Sequence, residues 1–384
     1  MDFELTAEQK AFRQEIRDFL DQEVAAAGAS DDGWIVGFSL EFSRKLGARG
    51  WIGLTWPRRY GGQERSYLDR VVLTEEFFRA GAPVAAHWLG DRQIGPALLA
   101  HGSEEQKTEI LPRIVSGELV FCVGMSEPGA GSDLASLRTR AEEDGDDFVV
   151  NGQKIWTSFA HAADYCYLVA RTDPQAPKHK GISEFLVDMK LAGVTVRPLV
   201  DLTGEHHFNE VFFDSVRVPR KWLIGEKNRG WYQIASQLDY ERSGIERLMS
   251  NYPLFRDAVA YAKESALVRD PLLRDELAQL RVEFELGRLM VYRVAWLLSR
   301  GIVPNYEAAL AKCYCTEFEQ RLAQAVSRML REHALLMPGS PAARLGGRAA
   351  REFLYAPSYT IGGGTANILR NIIAMRGLGL PAGR

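Results

Sequence analysis

The sequence has few cysteines, and none stands at a spacing typical of a disulfide framework or a zinc site. Among its 384 residues there are four, Cys122, Cys166, Cys313 and Cys315. Cys313-x-Cys315 has no second pair to complete a metal site. We therefore expect buried thiols, which fit a reducing cytoplasm.

Long apolar runs, an excess of basic charge and internal repeats are also missing. No run approaches the roughly 18 uninterrupted apolar residues of a membrane span. The net charge is −3 with a pI near 6.2, so the basic excess of a dedicated nucleic-acid surface is absent. The N-terminus is acidic and amphipathic, so no signal peptide is expected. Neither nucleic acid nor a membrane is therefore an expected partner.

The composition is that of an ordinary globular protein, with 46% hydrophobic and 25% charged residues. The length suggests about two or three domains. Thr6-x-x-Gln9 and Ser103-x-x-Gln106 have the form of capping boxes ahead of apolar residues at helical spacing. Ser66 is a candidate cap for a third helix. The first part of the chain is therefore expected to be helical.

The residue pattern changes twice along the chain, which divides it into three predicted domains, 1–118, 119–225 and 226–384. The first and last are helical, with a long helix over about 305–335 and a final helix from Ala366. The middle domain has short β-type runs separated by turn residues, at 147–150, 166–170, 183–188, 194–198 and 208–213. The predicted fold class is α+β, mainly α: an N-terminal helical domain, a central antiparallel β-barrel or sandwich, and a C-terminal four-helix bundle.

Residues 121–158 combine strand, turn and loop signals. The run from Val120 to Met125 has strand character, and the small-residue loop from Ser126 to Asp133 follows it. Asp144-Gly145 and Asn151-Gly152 are typical of hairpin turns. Loops rich in Gly and Ser let a ligand approach the backbone, whose N–H groups bind anions. From this pattern alone, a binding loop and a tight connection inside a β domain both remain open.

Five motifs occur in order along the chain, and together they resemble the acyl-CoA dehydrogenase family. They are SEPGAGSD (126–133), NGQKIWTS (151–158), FNEVFFDSVRVP (208–219), LDYER (238–242) and GGGTANILRNIIAMRGLGLP (362–381). The resemblance covers nearly the whole chain.

This resemblance implies an FAD-dependent oxidoreductase that acts on CH–CH donors, as in β-oxidation and in lipid or steroid catabolism. A carboxylate base would remove the α-proton of an acyl-CoA thioester while the β-hydrogen leaves as hydride to flavin N5. The product would be a 2-enoyl-CoA, and an electron-transfer flavoprotein would accept the electrons. The flavin supplies most of the chemistry, while the protein supplies orientation and charge stabilisation.

The resemblance also implies a set of FAD contacts. These are Val123, Met125, Ser126, Ser132, Trp156, Ser158, Thr365 and Asn367. The Ser126 hydroxyl and the Met125 main chain would hydrogen-bond the ring system, Trp156 would cover it, and Ser158 would lie near N5. Ser132 would face the pyrophosphate and CoA. The alternative is that Trp156 is a core residue and that Ser126 and Ser158 are simple turn residues.

The catalytic base has two possible positions in this family. Many members carry a Glu in the C-terminal turn, where this chain has Gly363. The other position lies on the first long helix of the C-terminal domain and holds Glu241 here. The alternative role for Glu241 is a surface salt bridge, but Glu241 and Arg242 are not spaced to face each other on a helix. Asp239 and Arg242 are the candidate CoA contacts.

Two signatures by which homotetrameric members hold the FAD tail of a neighbouring subunit are missing. Residues 260–280 contain no Arg-x-x-Phe-Gly, and residues 329–347 contain no Gln-x-x-Gly-Gly-x-Gly. This pattern resembles the base-bearing subunit of heteromeric bacterial members that act on steroid side chains and rings. It predicts an α2β2 assembly with a sister chain, with a homotetramer as the alternative.

Small residues near the predicted base bear on the acyl group. Gly363 leaves the C-terminal turn small, and Gly244 adds room one turn along from Glu241. The pattern favours branched, cyclic or steroid-derived acyl groups over straight medium chains.

Two further residue pairs are candidates for chemistry. His161 and Asp164 could form a catalytic pair, but turn and packing roles are favoured. His206-His207 has no carboxylate or Cys at a zinc-like spacing in the sequence, so no metal site is expected.

Two other functions compete on the same fold. One is a flavin-dependent monooxygenase or oxidase, which needs no base at an acyl α-carbon and is disfavoured by Glu241. The other is a non-catalytic subunit of a heteromeric dehydrogenase, which would have no need of Ser126, Trp156 and Glu241.

Overall fold

The computed structural model describes residues 4–27, 29–241, 244–304 and 306–381, without the side chains of residues 26–27 and 236–241. Helices occupy the first part of this chain, strands the middle and helices the remainder, so the predicted fold class is confirmed. The α-helices are α1 (Ala7–Ala27), α2 (Leu40–Ala48), α3 (Tyr67–Ala80), α4 (Ala85–Leu89), α5 (Gly95–His101), α6 (Glu104–Val115), α7 (Gly230–Glu241), α8 (Glu246–Met249), α9 (Tyr252–Glu264), α10 (Pro271–Ser299), α11 (Tyr306–Leu330), α12 (Arg348–Tyr355) and α13 (Ala366–Ile372). The strands are β1 (Phe121–Gly124), β2 (Arg140–Asp144), β3 (Asp147–Lys154), β4 (Tyr165–Arg171), β5 (Ile182–Asp188), β6 (Val194–Leu199), β7 (Phe208–Pro219) and β8 (Leu223–Ile224).

The three predicted helix caps are confirmed. At the start of α1, the Thr6 Oγ1 atom accepts from the Gln9 N–H and the Gln9 Oε1 atom accepts from the Thr6 N–H, both at 3.2 Å. Ser66 and Ser103 form the same reciprocal capping box at α3 and α6. Each box satisfies backbone donors that have no partner inside the helix, which explains why the chain turns helical at these residues.

The strands form one sheet in the order β6-β7-β3-β2-β4-β5-β8, with β1 beside β4. Most neighbours are antiparallel, as predicted, but β1 and β2 each pair with β4 in parallel. β5 is buried over nearly its whole length, whereas β7 alternates buried and more exposed residues. β5 is therefore covered on both faces, while one face of β7 is open.

One of the two predicted hairpin turns is confirmed and the other is wrong. Asp144-Gly145 links β2 to β3, and Gly145 takes the expected positive φ of 62°. Asn151-Gly152 lies inside β3 instead, where the register against β7 shifts between Val150 and Gly152. A Cβ atom at Gly152 would lie 2.5 Å from Oγ1 of Thr139, so the glycine serves a β-bulge and a close approach.

The contacts along the chain group into two compact units. Unit 1 comprises Met1–Gly37, Ser66–Pro83 and Arg242–Arg384, and unit 2 comprises Phe38–Arg65 and Val84–Glu241. Unit 1 is helical, with α10 and α11 packed against each other, and unit 2 contains the whole sheet. The three predicted domain boundaries stay a prediction. Within the described residues, every helix is too short or too polar to cross a membrane.

Candidate functional site

Trp156 presents its indole ring at the end of β3. The residue has a positive φ of 59°, and 57% of its surface is exposed. The Ile155 N–H donates to the Ser126 carbonyl at 3.0 Å, which holds the Trp156 segment beside the loop that follows β1. The ring of Phe208 meets the indole edge-on at a centroid distance of 5.6 Å. A large apolar ring is thus held outward, although a core residue of this size would be covered.

Asn209 fixes the residues that follow Trp156. The Thr157 N–H donates to the Asn209 carbonyl, and the Asn209 Nδ2 atom donates to the Thr157 carbonyl, both at 3.0 Å. Asn209 is fully buried, while Ser158, which follows Thr157 in the chain, is only partly buried. The Thr157 Oγ1 atom is buried without a hydrogen-bond partner among the described residues. This pairing holds the backbone of Thr157, which lies between the exposed Trp156 and Ser158 in the chain.

Lys154 and Glu127 form a buried ion pair beneath the same loop. Lys154 is completely buried, and its Nζ atom donates to the Met125 carbonyl at 2.9 Å and to Glu127 Oε1 at 2.8 Å. Glu127 also accepts from the backbone N–H groups of Arg138 and Thr139 at 2.6 and 2.9 Å. The pair therefore connects β3 to both ends of the loop that contains Ser126. The Met125 carbonyl therefore takes part in the support of the loop by accepting from Lys154.

The pKa values of this pair follow from burial and charge. Burial alone would raise the pKa of Glu127, but the Lys154 charge and the hydrogen bonds to the carboxylate lower it below its usual value. Burial lowers the pKa of Lys154, and the Glu127 charge opposes that shift. Each partner's charge therefore opposes the effect of burial on the other.

The remainder of the loop is open to solvent. Glu127 and Ala130 exchange two backbone hydrogen bonds of 2.9 and 3.0 Å, which close a tight turn. Gly129 and Gly131 have no heavy atom within 4 Å of the position of a Cβ atom, and Ser132 is exposed. The predicted contact Ser132 is thus accessible, in a segment whose backbone has free space around it.

Helix α7 has the predicted base at its C-terminal end. The backbone of α7 runs to Glu241, but the side chains of Asp239 and Glu241 and the whole of Arg242 lie outside the described residues. The helix N-terminus packs tightly on β5, where a Cβ atom at Gly230 would lie 3.0 Å from the Ile182 carbonyl oxygen. Glu241 therefore ends a helix whose start is fixed to the sheet.

Gln233 and Glu184 fasten this helix to the sheet. The Gln233 Nε2 atom donates to Glu184 Oε2 at 2.5 Å and to the Ile224 carbonyl at 3.2 Å, and its Oε1 atom accepts from the Glu226 N–H at 3.1 Å. Burial raises the pKa of Glu184 to about 7, although the hydrogen bonds from Tyr167 and Gln233 oppose that shift. The amide of Gln233 thus ties α7 to both β5 and β8.

In unit 1, the C-terminal turn is held by a lysine that the sequence did not reveal. Gly363 and Gly364 have positive φ angles of 66° and 98°. The Lys312 Nζ atom, on α11, donates to the carbonyls of Gly362 and Gly364 at 2.8 and 2.7 Å. Thr365 then caps α13 by accepting from the Ile368 N–H at 3.3 Å. Asn367, the other predicted FAD contact in this segment, is exposed.

His161 and Asp164 bond to different partners. Asp164 accepts from the Val120 N–H at 3.0 Å, while His161 Nδ1 lies 3.2 Å from Asn209 Nδ2. The His161 ring also packs on His206 at a centroid distance of 4.4 Å. His161, Asp164, His206 and Asn209 line a cavity of about 470 Å³ on unit 2. His161 and Asp164 do not form a hydrogen-bonded catalytic dyad, in agreement with the favoured turn and packing roles.

The loop between β6 and β7 brings two carboxylates to His207. Ligand atoms of Asp201, Glu205 and His207 all lie within 4.8 Å of one another. The spacing of these residues along the chain is not that of a zinc motif, so the sequence did not reveal their proximity, and the expectation that no metal binds here stays a prediction. Asp201 Oδ1 already accepts from the Thr203 N–H at 2.8 Å, so its carboxylate braces the loop.

The predicted contacts with the flavin ring all lie in unit 2. The residues that hold these contacts in place were not predicted. Met125 and Ser126 are linked to β3 by Lys154 and Ile155, one residue or two before Trp156. Those supporting residues stand inside the quoted motifs, but nothing in the motif letters distinguishes a buried lysine from an exposed one.

Comparisons with known proteins cover the whole architecture. Residues 6–118, 122–216 and 228–378 match the N-terminal, middle and C-terminal domains of acyl-CoA dehydrogenases. The acyl-CoA dehydrogenase FadE26 of Mycobacterium tuberculosis is 35% identical over 98% of this chain and 98% of its own length. The isovaleryl-CoA dehydrogenase of Pongo abelii is 30% identical over 83% of this chain and 78% of its own.

Two solved structures are similar over the full chain. The Tcur3481-Tcur3483 steroid ACAD has a TM-score of 0.92 at 36% identity and covers 100% of both chains. The ChsE4-ChsE5 complex from Mycobacterium tuberculosis has a TM-score of 0.88 at 34% identity, again with 100% of both chains covered. With three matching domains and these relatives, the chain belongs to the acyl-CoA dehydrogenase family and is an FAD-dependent oxidoreductase that acts on acyl-CoA.

Proposed function

We propose that unit 2 holds the ring end of FAD against Trp156 and the Ser126 loop, and that Glu241 removes the α-proton of the acyl-CoA. The observation that carries this proposal is the outward-facing indole, 57% exposed, beside a loop held by a buried ion pair. An exposed indole ring lacks the apolar contacts that it would have in the core, so this placement favours a ligand that covers the ring.

The residues present fit a flavin ring. The indole of Trp156 offers a flat apolar face, and the Ser126 and Ser158 hydroxyls and the Met125 N–H offer polar groups at its border. Val123, the remaining predicted ring contact, is only partly buried at the end of β1. When bound, FAD supplies the position that accepts the substrate β-hydrogen as hydride. Donors fixed in advance stabilise negative charge more effectively than mobile ones, which is the role proposed for Ser126 and Ser158.

Glu241 is proposed as the base because the alternative position is occupied by glycine. Gly363 has no side chain and takes a positive φ of 66°, a conformation that a glutamate adopts only with strain. The carboxylate of Glu241 would accept the α-proton, and Asp239 and Arg242 would contact the CoA moiety. Burial against an apolar acyl group would raise the pKa of this carboxylate toward neutrality, as a base for this proton requires.

The test is Glu241→Gln, which keeps the shape of the side chain and removes its basicity. We expect the variant to retain FAD and to bind acyl-CoA, but to lose anaerobic bleaching of the flavin absorbance by substrate. Glu264→Gln, at the exposed end of α9, is the matched control and should bleach normally. Flavin reduction by Glu241→Gln at the wild-type rate would contradict the assignment.

A sister chain is proposed to complete the FAD site. Support comes from the missing tail-binding signatures and from the similarity to the ChsE4-ChsE5 complex, which pairs two chains. In the proposed α2β2 assembly, this chain contributes the flavin-ring contacts and Glu241. An electron-transfer flavoprotein is the proposed acceptor. If the chain purified alone carries one FAD per protomer and turns over acyl-CoA, the homotetramer alternative is correct instead.

The proposed acyl group is branched, cyclic or steroid-derived. The similarity to a steroid ACAD supports this class, as does the absence of a side chain at Gly363. The test is an acyl-CoA panel with an artificial electron acceptor, comparing steroid side-chain, short branched and straight medium-chain thioesters. A kcat/KM that is highest for straight medium chains would contradict the proposal.

A further inference from the structure

The side chain of Asn209 lies between two histidines in unit 2. Asn209 is the second residue of β7 and is fully buried, and its Oδ1 atom lies 2.9 Å from His206 Nε2. Its Nδ2 atom lies 3.2 Å from His161 Nδ1, and the two imidazole rings pack on each other at a centroid distance of 4.4 Å. The three side chains therefore form one short chain of hydrogen bonds.

Backbone carbonyls fix the orientation of the Asn209 amide. Its Nδ2 atom donates to the Thr157 carbonyl at 3.0 Å, and the His207 carbonyl lies 3.4 Å from the same atom. A carbonyl oxygen only accepts hydrogen bonds, so the group that faces both carbonyls is the NH2 group. A flipped amide would direct its own oxygen at two carbonyl oxygens, which disfavours the alternative orientation.

This orientation determines what each histidine must do. Because Asn209 Nδ2 is a donor, His161 Nδ1 must accept, and a ring that accepts at Nδ1 is neutral with its proton on Nε2. His206 Nε2 must donate to Asn209 Oδ1, which both the neutral Nε2–H form and the cation can do. Only His161 must therefore be neutral for the three side chains to fit together.

Protonation of His161 would place two hydrogen-bond donors, its Nδ1–H and the Asn209 amide, against each other. His161 is exposed to solvent, so protons reach its ring. Partial desolvation lowers the pKa of this ring below its ordinary value of 6.5, and the charge of His206 lowers it further. The neutral form that Asn209 requires is therefore the form present at neutral pH.

Several other ionisable side chains lie on the segments around His161. They are Asp164, Lys190, Asp201, Glu205, His206 and His207. Lys190 lies 3.7 Å from Asp164, so the charges of this pair offset each other. The two carboxylates of the loop between β6 and β7 lie beside His207. His206 is therefore the neighbour whose charge acts on His161.

We propose that Asn209 is a positioning residue for the flavin-ring contacts, and that neutral His161 keeps its amide in the required orientation. Asn209 holds Thr157 twice, through Nδ2 at the Thr157 carbonyl and through its own carbonyl, which accepts from the Thr157 N–H at 3.0 Å. Thr157 stands between Trp156 and Ser158, which are proposed to cover the ring and to hydrogen-bond it. This role rests on the proposed function, so its test includes measurements that do not use the flavin.

The first measurement is the protonation state of His161. In the full chain labelled with nitrogen-15 in its histidine rings, NMR should show this ring neutral with its proton on Nε2 at pH 7.5. It should become charged only below the ordinary pKa of 6.5. Loss of the signal in His161→Asn assigns it. A proton on Nδ1 at pH 7.5 would overturn the proposal, because Asn209 could not then donate to this ring.

Two substitutions at His161 separate the acceptor from the charge. In His161→Asn, the new Oδ1 atom takes the place of Nδ1, so it accepts from Asn209 but does not titrate. At pH 7.5 we expect this variant to match the wild type in the rate of anaerobic flavin reduction by acyl-CoA. His161→Leu offers no acceptor and should be slower by about tenfold with an unchanged dissociation constant for acyl-CoA, because a small displacement near the reacting groups slows the chemical step.

The pH profile is a measurement that a merely structural role would not change. Between pH 7.5 and pH 5.5, the rate of the wild type should fall relative to that of His161→Asn, because only the wild type gains a donor at Nδ1. Titration of Glu241 affects both proteins equally and cancels in this ratio. His333→Asn, the same substitution in unit 1, is the control and should follow the wild type. A constant ratio across this range would overturn the proposal.

Asn209→Asp tests the amide itself. A carboxylate of the same shape would repel the Thr157 carbonyl and attract a charged His161 ring. We expect the pKa of His161 to rise in the NMR titration. Hydrogen exchange at the Thr157 and Phe159 amides of the holoprotein, measured by mass spectrometry, should accelerate by about tenfold. Unchanged exchange would show that Asn209 does not hold this segment.

Trp156→Ala separates a failure of this proposal from a failure of the proposed flavin contacts. Slower flavin reduction in both Trp156→Ala and His161→Leu is the expected result, with thermal unfolding to confirm that the variants fold. If only Trp156→Ala is slower, Asn209 has no positioning role and this proposal alone is overturned. If neither variant is slower, the proposed contacts of Trp156 and Ser158 with the flavin are wrong as well.

Discussion

Lys154 shows how one buried residue can support the geometry of a loop. A lysine that is wholly buried is tolerated only when its charge is paired and hydrogen-bonded. Here the Nζ atom is shared between Glu127 and the Met125 carbonyl, at 2.8 and 2.9 Å. The loop that contains Ser126 is therefore supported by electrostatics rather than by apolar packing alone.

Lys154→Met should destabilise the protein strongly, because it leaves the Glu127 carboxylate buried without its cation. Removing one partner of a buried ion pair costs about 3–5 kcal/mol. The measurement is urea denaturation at pH 7 followed by tryptophan fluorescence. Lys190→Met is the control: that lysine is exposed and lies 3.7 Å from Asp164, so its loss should cost less than about 1 kcal/mol. Equal effects of the two variants would show that burial of the Lys154–Glu127 pair is energetically unimportant.

Glu184 should make stability depend on pH. Its folded-state pKa of about 7 lies above the ordinary value of 4.5, so the folded state binds the proton more tightly than the unfolded state does. The resulting stabilisation is fully present below pH 4.5 and is lost as pH rises through about 7. The shift corresponds to about 3 kcal/mol.

Glu184→Gln should remove this dependence, because glutamine does not ionise. The unfolding free energy of the wild type should fall relative to the variant between pH 5 and pH 8, as measured by urea denaturation at both values. Glu264→Gln, on an exposed glutamate, is the control and should follow the wild type. A constant difference between wild type and Glu184→Gln across this range would contradict the assignment.

At the scale of elements, local signals predicted helix starts well and strand details less well. The boxes at Thr6, Ser66 and Ser103 are confirmed because a cap depends on residues within one turn of each other. The hairpin turn predicted at Asn151-Gly152 is wrong because this dipeptide is compatible with both a hairpin turn and a β-bulge. Which of the two forms depends on the neighbouring strand. That neighbour, near Thr139, is fixed by sheet pairing that the local sequence does not contain.

The box at α6 also provides a prediction. Gln106 completes the cap and donates from Nε2 to the carbonyls of Lys221 and Leu223 at 2.6 and 2.9 Å. Ser103→Ala should cost about 1 kcal/mol, the usual value of an N-cap. Gln106→Glu should cost more, about 1–3 kcal/mol beyond that, because a carboxylate would face two carbonyl oxygens.

Thermal unfolding of the two variants at pH 7 measures this difference. At acid pH, where the new glutamate is protonated and donates one hydrogen bond, the gap between the variants should narrow. If the Gln106→Glu variant is no less stable than Ser103→Ala, the hydrogen bonds from Gln106 to the Lys221 and Leu223 carbonyls do not contribute to stability.

At the scale of the whole molecule, each unit has its own buried polar centre. In unit 1, the Arg351 Nη1 atom donates to Asp32 Oδ2 at 3.1 Å and also donates to Glu352. Tyr359 bonds Asp32 and lies 3.3 Å from Glu352. Burial and the Asp32 charge raise the pKa of Glu352 to about 8. This network joins residues more than 300 positions apart, so composition and periodicity could not predict it.

The family motifs predicted a loop after the first strand and a helix that carries Glu241, because those features depend on short segments. They could not predict Lys312, Gln233 or Lys154 as supports, since each acts on residues brought close only by the fold. The hydrogen bonds of these three residues hold the backbone around the motifs in one conformation.

Two units with separate polar centres should open separately. Arg351→Met leaves the buried Asp32 carboxylate without this cation, at a cost of about 3–5 kcal/mol. If the units unfold as distinct regions, amide hydrogen exchange should accelerate by about 100-fold or more in the slow helices of unit 1, such as α11, and much less in β4 and β5 of unit 2.

Lys154→Met should give the reverse pattern, which makes each variant the control for the other. Mass spectrometry of peptides from the two regions distinguishes the outcomes. The same acceleration everywhere in both variants would mean that the chain opens as a single cooperative body, and that its two polar centres stabilise one structure in common.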